Sequence, residues 1–278
     1  IEAKFVKYHL THIKLSKSGF FYGKNDYLCS LIYNKKFLQT MINRILIRIK
    51  VLQIVYSYYQ NGNGDLKVAE NELLFSLQKS YDLYYYFLLL IIEVTNLQRR
   101  ILDTRKCKYM PTDEELNPNT RFIDNRFVAQ LAENDTLKKY VDEQGLSWSN
   151  DEEFIKNVLD TILSSEIYAE YLKNEEDSYE TDREFWRQIF KKIICGNEMI
   201  EEYLEDKSIY WNDDIEIVET FALKTIKKFE EKKGSKQALL PMFKDLEDKA
   251  FAIKLFRQSL LKGKEYRERI DKHMKLSL

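Results

Sequence analysis

Residues that break helices are scarce in this 278-residue chain, which has eight Gly and three Pro. They leave few places to build turns. With Leu, Ile, Lys and Glu abundant, they predict an all-α protein. Cysteine is scarce as well. Cys29, Cys107 and Cys195 stand apart, show no CxxC spacing and are odd in number, which suits inert thiols in a reducing compartment. Histidine is limited to His9, His12 and His273, so a His-based triad or zinc site lacks its partners. Neither GxxxxGK[ST] nor GxGxxG occurs, so no phosphate cradle is visible. This inventory points away from an enzyme, a metal or a cofactor.

Long apolar runs are missing too. No stretch reaches the ~18–20 apolar residues of a membrane-spanning helix. The nearest, Leu83-Tyr-Tyr-Tyr-Phe-Leu-Leu-Leu-Ile-Ile92, is bounded by Asp82 and Glu93 and reads as a buried core helix. Residues 1–40 have no continuous apolar core with a small-residue cleavage site, which argues against a secretory signal and for a cytoplasmic protein.

Charge is present in quantity, and it is uneven. The formal net charge is -1, yet residues 1–60 hold ten Lys and Arg against two Asp and Glu. Residues 61–278 hold the other 34 bases and 43 acids. A basic end on an acidic body fits a nucleic-acid contact confined to that end. It fits a disordered basic extension equally well.

Composition shifts divide the chain. Residues 1–40 are a basic, aromatic extension, either native or upstream sequence, with no sustained helical period. A first helix is predicted from about Asn43 to Tyr59, ended by Asn61-Gly-Asn-Gly64. A second helical stretch runs from Asp65 to about Cys107, with a candidate break near Ser80-Tyr-Asp82. Residues 41–110 thus form an N-terminal helical segment, closed by a loop marked by Pro111 and Pro118. Residues 111–246 read as a run of amphipathic helices, and residues 247–278 as the last helices.

Two helix entries resemble each other: Ser147-Trp-Ser-Asn-Asp-Glu-Glu-Phe154 and Ile209-Tyr-Trp-Asn-Asp-Asp-Ile215. Asn150 and Asn212 are the predicted caps, the acids favour the positive end of the helix dipole, and Trp148 and Trp211 anchor the approach. Asp213 and Asp214 lack a suitably spaced third ligand for a metal.

The segment Met41-Ile-Asn-Arg-Ile-Leu-Ile-Arg-Ile-Lys-Val-Leu-Gln-Ile-Val-Tyr56 carries the most information. On a helical wheel Arg44 and Arg48 lie about 40° apart and form a cationic edge with Tyr59. Ile45, Ile49, Leu52 and Tyr56 fall together and are the predicted core face. Asn43, Lys50, Gln53 and Ser57 make a second, polar strip. Arginines one turn apart can grip successive phosphates, and neighbouring aromatic rings can stack on unpaired bases. An ordinary surface helix with two solvated arginines has the same pattern.

These residues resemble a known family. Asn43-Arg-x-x-x-Arg48-x-x-x-x-Gln53-x-x-Tyr56 is similar to the start of NusB, the bacterial transcription antitermination factor. Asn117-Pro-Asn-Thr-Arg-Phe122, Asn125-Arg-Phe-Val-Ala-Gln130, Asn150-Asp-Glu-Glu-Phe154, Tyr210-Trp-Asn-Asp-Asp214 and Phe256-Arg257 resemble the long Bacteroidetes form, with its large helical insertion. The resemblance covers about Met41 to Lys272 and implies a NusB-like helical bundle. It implies binding of boxA-type single-stranded RNA together with the ribosomal protein NusE, and an indirect link to the RNA polymerase elongation complex. The expected outcome is antitermination on ribosomal RNA operons. By position, Arg44 and Arg48 carry over as phosphate contacts, and Gln53 and Tyr56 as further RNA-binding residues. The ending His273-Met-Lys-Leu-Ser-Leu278 does not follow the family. The C-terminal three-helix half is therefore expected to be missing, through truncation, frameshift or a split gene. Such a half-bundle would expose apolar helix faces and associate or fold poorly. The alternatives are a helical protein–protein interaction module, with residues 122–248 docking a basic partner, and a nonfunctional NusB fragment.

Overall fold

A computed structural model describes residues 41–62, 64–243 and 246–262, together with Glu265. Among these the structure is all-α: eleven α-helices, one π-helical turn and one 3-10 segment, with no strand. The basic extension, Cys29, all three histidines and the final helix predicted toward Met274 lie outside the described residues, apart from the helical Glu265.

Helix α1, Arg44–Gln60, starts where the Asn43 side chain accepts hydrogen bonds from the Ile45 and Leu46 amides at 2.9 and 2.8 Å. The chain leaves it through Gly62, whose φ of 74° is readily reached without a Cβ. Helix α2, Leu66–Lys106, is capped by Asp65 and runs 41 residues, or about 60 Å. The break expected at Ser80–Asp82 does not occur. Ser80 donates to the Ser76 carbonyl and to Asp214, while Asp82 accepts from the Tyr140 hydroxyl at 2.7 Å and Lys79 at 2.9 Å. These inward polar groups find partners within the protein, so the helix continues past them. From Tyr81 to Leu88 every residue is buried.

The other helices gather around α2. They are α3 (Asp113–Leu116), α4 (Arg126–Ala132), α5 (Asp135–Gln144), α6 (Glu152–Leu163) and α7 (Glu166–Lys173). Then come α8 (Tyr179–Ile189), which runs into the π-helical turn Phe190–Ile194, α9 (Glu198–Lys207) and α10 (Ile215–Lys228). The 3-10 segment Glu231–Lys236 leads toward α11, Leu246–Leu261. Helices α6 and α10 pack on α2, and α11 packs along α1. The Met41 and Ile42 amides donate to the Pro241 and Met242 carbonyls at 3.0 and 2.9 Å, so α1 and α11 depart from paired segments.

The two Trp-containing entries converge on one stretch of α2. Trp148 donates its indole N–H to the Tyr86 carbonyl at 3.1 Å, and Trp211 to the Lys79 carbonyl at 2.8 Å. The ring of Tyr86 lies 4.9 Å from Trp148 and 5.3 Å from Trp211. The anchors behave as predicted, but the caps do not. Asp151 and Asp214, not Asn150 and Asn212, occupy the cap positions, and neither makes a side-chain capping bond. Asp151 instead takes Tyr203 and Lys207, and Asp214 takes Lys50 and Ser80. Partners from other helices outcompete the local cap.

Cys107 is exposed, and burial pushes the Cys195 thiol well above its ordinary range, which keeps it in the unreactive form. Among the described residues no helix is long and apolar enough to cross a membrane.

Candidate nucleic-acid interface

Helix α1 is turned differently from the sequence expectation. Leu46, Ile47, Lys50, Val51 and Ile54 are buried, whereas Leu52 is 70% exposed, Tyr56 54% and Ile45 37%. The predicted core face is therefore the outer face. The cause is that α1 is apolar on both sides, so its periodicity cannot select one. Lys50 makes the selection. Its ammonium sits 2.7 Å from the Asp214 carboxylate and donates to the Tyr210 carbonyl at 2.6 Å, almost wholly out of water. Burial raises the Asp214 carboxyl above its ordinary range, with Lys50 opposing.

Gln53 donates from Nε2 to Asp213 Oδ2 at 2.7 Å. The Tyr210–Asp214 segment thus holds α1 at two successive positions along one side. Gln53 is engaged there and is not presented freely.

Arg44 and Arg48 stand on the opposite edge, both exposed and one turn apart, or about 6 Å. Neither has an ion-pair partner among the described residues. The Arg44 guanidinium lies 5.1 Å from the centre of the Phe251 ring on α11, a cation–π contact. Tyr56 and Tyr59 project from the same outer half of α1, and Tyr59 is 51% exposed. The structure brings Arg44, Arg48 and Tyr56 onto one open surface and ties Gln53 to its far edge.

Sequence reasoning missed Lys50, Asp214 and Phe251. A lone lysine among Leu46, Ile47, Val51 and Ile54 was the available signal for Lys50. Nothing local pointed to an acid 164 positions away. Among the described residues no group of three His, Cys, Asp or Glu is placed to hold a metal. Comparison with protein-family models, curated proteins and solved structures finds no match for this chain.

Proposed function

We propose that α1 binds single-stranded RNA and that the chain is a cytoplasmic antitermination factor of NusB type. In this reading it binds boxA-type RNA together with NusE and acts on ribosomal RNA operons through the elongating polymerase. Helices α1, α2 and α11 belong to the NusB-like bundle, and the helices between α2 and α11 are the insertion. The observation that supports this most is the pair Arg44 and Arg48, exposed, one turn apart and without an ion-pair partner among the described residues, with the exposed Tyr56 ring two turns further along the helix. Two such guanidiniums can grip adjacent phosphates while the phenol ring stacks on a base. Gln53 takes a secondary role, because an RNA would have to displace Asp213 from it.

Titration of a boxA-like RNA tests the reading. Arg44→Ala and Arg48→Ala should each weaken binding about tenfold and lower the salt slope by about one. Absence of RNA affinity at low salt, or wild-type affinity in both variants, would overturn it.

A second reading has its own observation. Glu170, Glu176, Glu180 and Glu184 line an open cleft of about 360 Å³ between α7 and α8. A basic protein partner docked on this acidic body would make the chain a helical interaction module. Retention of NusE by the full chain with Arg44 and Arg48 replaced, and its loss when those glutamates become glutamine, would favour this second reading.

A further inference from the structure

We propose that the outer face of α1 is the docking seam for an amphipathic helix of another polypeptide, acidic along the edge that meets Arg44 and Arg48. The spacing of the face carries the argument first. Ile45, Ile49, Leu52, Tyr56 and Tyr59 recur at intervals of four, three, four and three residues. That is the seam by which one helix packs against another along two heptads. A helix apolar on all sides belongs inside a protein, yet among the described residues the buried apolar side chains of α1 are Leu46, Ile47, Val51 and Ile54, with Ile49 half-buried and Leu52 and Tyr56 exposed. Leu52 at 70% exposure and Tyr56 at 54% occupy the middle of the uncovered stripe.

The flanks specify the partner. Arg44 and Arg48 line one edge without an ion-pair partner among the described residues. Asp213, bonded to Gln53, marks the other edge. A partner helix acidic at the flank facing the arginines completes the charge pattern. Two copies of α1 packed antiparallel along this seam would set Arg44 and Arg48 against residues 56–60 of the other copy, which carry no acid, so that arrangement does not supply the missing charge. The aliphatic side chains Ile45, Ile49 and Leu52 offer a base neither a stacking plane nor a hydrogen bond. The proposal does not rest on the RNA reading; because it uses the same Arg44, Arg48 and Tyr56, a partner helix and an RNA would compete for this face.

The probes are two labelled helical peptides of about 18 residues, both with a Leu seam in heptad spacing. One carries Glu at its flanking positions and the other Lys. Fluorescence anisotropy with the full chain, without RNA, should show the Glu peptide binding at least about tenfold more tightly than the Lys peptide. Leu52→Lys should weaken the Glu peptide about tenfold while circular dichroism stays unchanged, since Leu52 is largely in water. Equal binding of both peptides, no binding, or indifference to Leu52→Lys overturns the proposal. So does self-association of the unmixed chain that Leu52→Lys abolishes, which would assign the seam to a second copy. Loss of RNA affinity in Leu52→Lys with no peptide binding would assign it to RNA and overturn the proposal equally. Because the peptide arm contains no RNA, its failure leaves the RNA reading standing.

Discussion

Lys50 shows how one side chain can orient a whole helix. Its ammonium and the Asp214 carboxylate are 1% and 0% exposed, so neither charge has water to fall back on. The pair is held together by the Tyr210 carbonyl and the Ser80 hydroxyl, which occupy further hydrogen-bonding positions around it. Removing one member strands the other. Lys50→Met is expected to cost about 3–5 kcal/mol in denaturant unfolding, chiefly through the buried, uncompensated Asp214. Lys50→Met combined with Asp214→Leu should recover most of that loss. If the double variant is no more stable than the single one, packing around Lys50 and not the stranded charge dominates.

At the scale of elements, α2 is the frame to which the others attach. Tyr84 meets Thr225 on α10 at 2.7 Å, and Tyr85 stacks on Tyr140 of α5 with ring centres 3.9 Å apart. Phe87 meets Phe190 of the π-helical turn at 5.6 Å. A helix held in its middle by so many neighbours should open last there. Hydrogen exchange is expected to be slowest for amides from about Ser80 to Gln98 and fast from Arg99 to Lys106, where the exposed end begins. Rapid exchange at Ser80–Asp82, matching the helix ends, would restore the break that the polar residues suggested.

The same elements show what was legible in the sequence. The predicted first helix, Asn43 to Tyr59, and the observed Arg44–Gln60 differ by a residue at each end, because Asn43 and Gly62 act locally. The Trp anchors were legible for a similar reason, being large apolar groups just before helix starts. The rotation of α1 was not, since Ile45 and Ile49 look as apolar as Leu46 and Ile47, and the deciding bond reaches to Asp214. The Asn150 and Asn212 caps failed likewise, because Asp151 and Asp214 answer to Lys207 and Lys50 from elsewhere in the fold. Of the site, Arg44 and Arg48 were legible as a basic edge, while the release of Tyr56 to the surface followed only from the rotation.

Over the whole molecule, carboxylates shifted in opposite directions set the dependence of stability on pH. Arg257 holds Glu70 below its ordinary range and Arg187 does the same for Glu184, so their contributions are lost as pH falls through the acidic range. Glu219 on α10 works the other way. It is 4% exposed, one oxygen accepts the Gly196 N–H, and the other has no hydrogen-bond partner among the described residues. Burial first, then the nearby acids Glu201 and Glu216, raise its carboxyl from 4.5 to about 8. Between those two values the folded chain holds a proton that the unfolded chain has released, so stability falls as pH rises and levels off above about 8. The slope from this one group is at most about 1.4 kcal/mol per pH unit. Glu219→Gln removes the titration while keeping an acceptor for Gly196. It should flatten the fall between pH 5 and pH 8, raising stability over wild type most at the alkaline end. Urea midpoints measured across that range check it: parallel wild-type and variant curves would mean that Glu219 is already ionised in the folded protein at neutral pH.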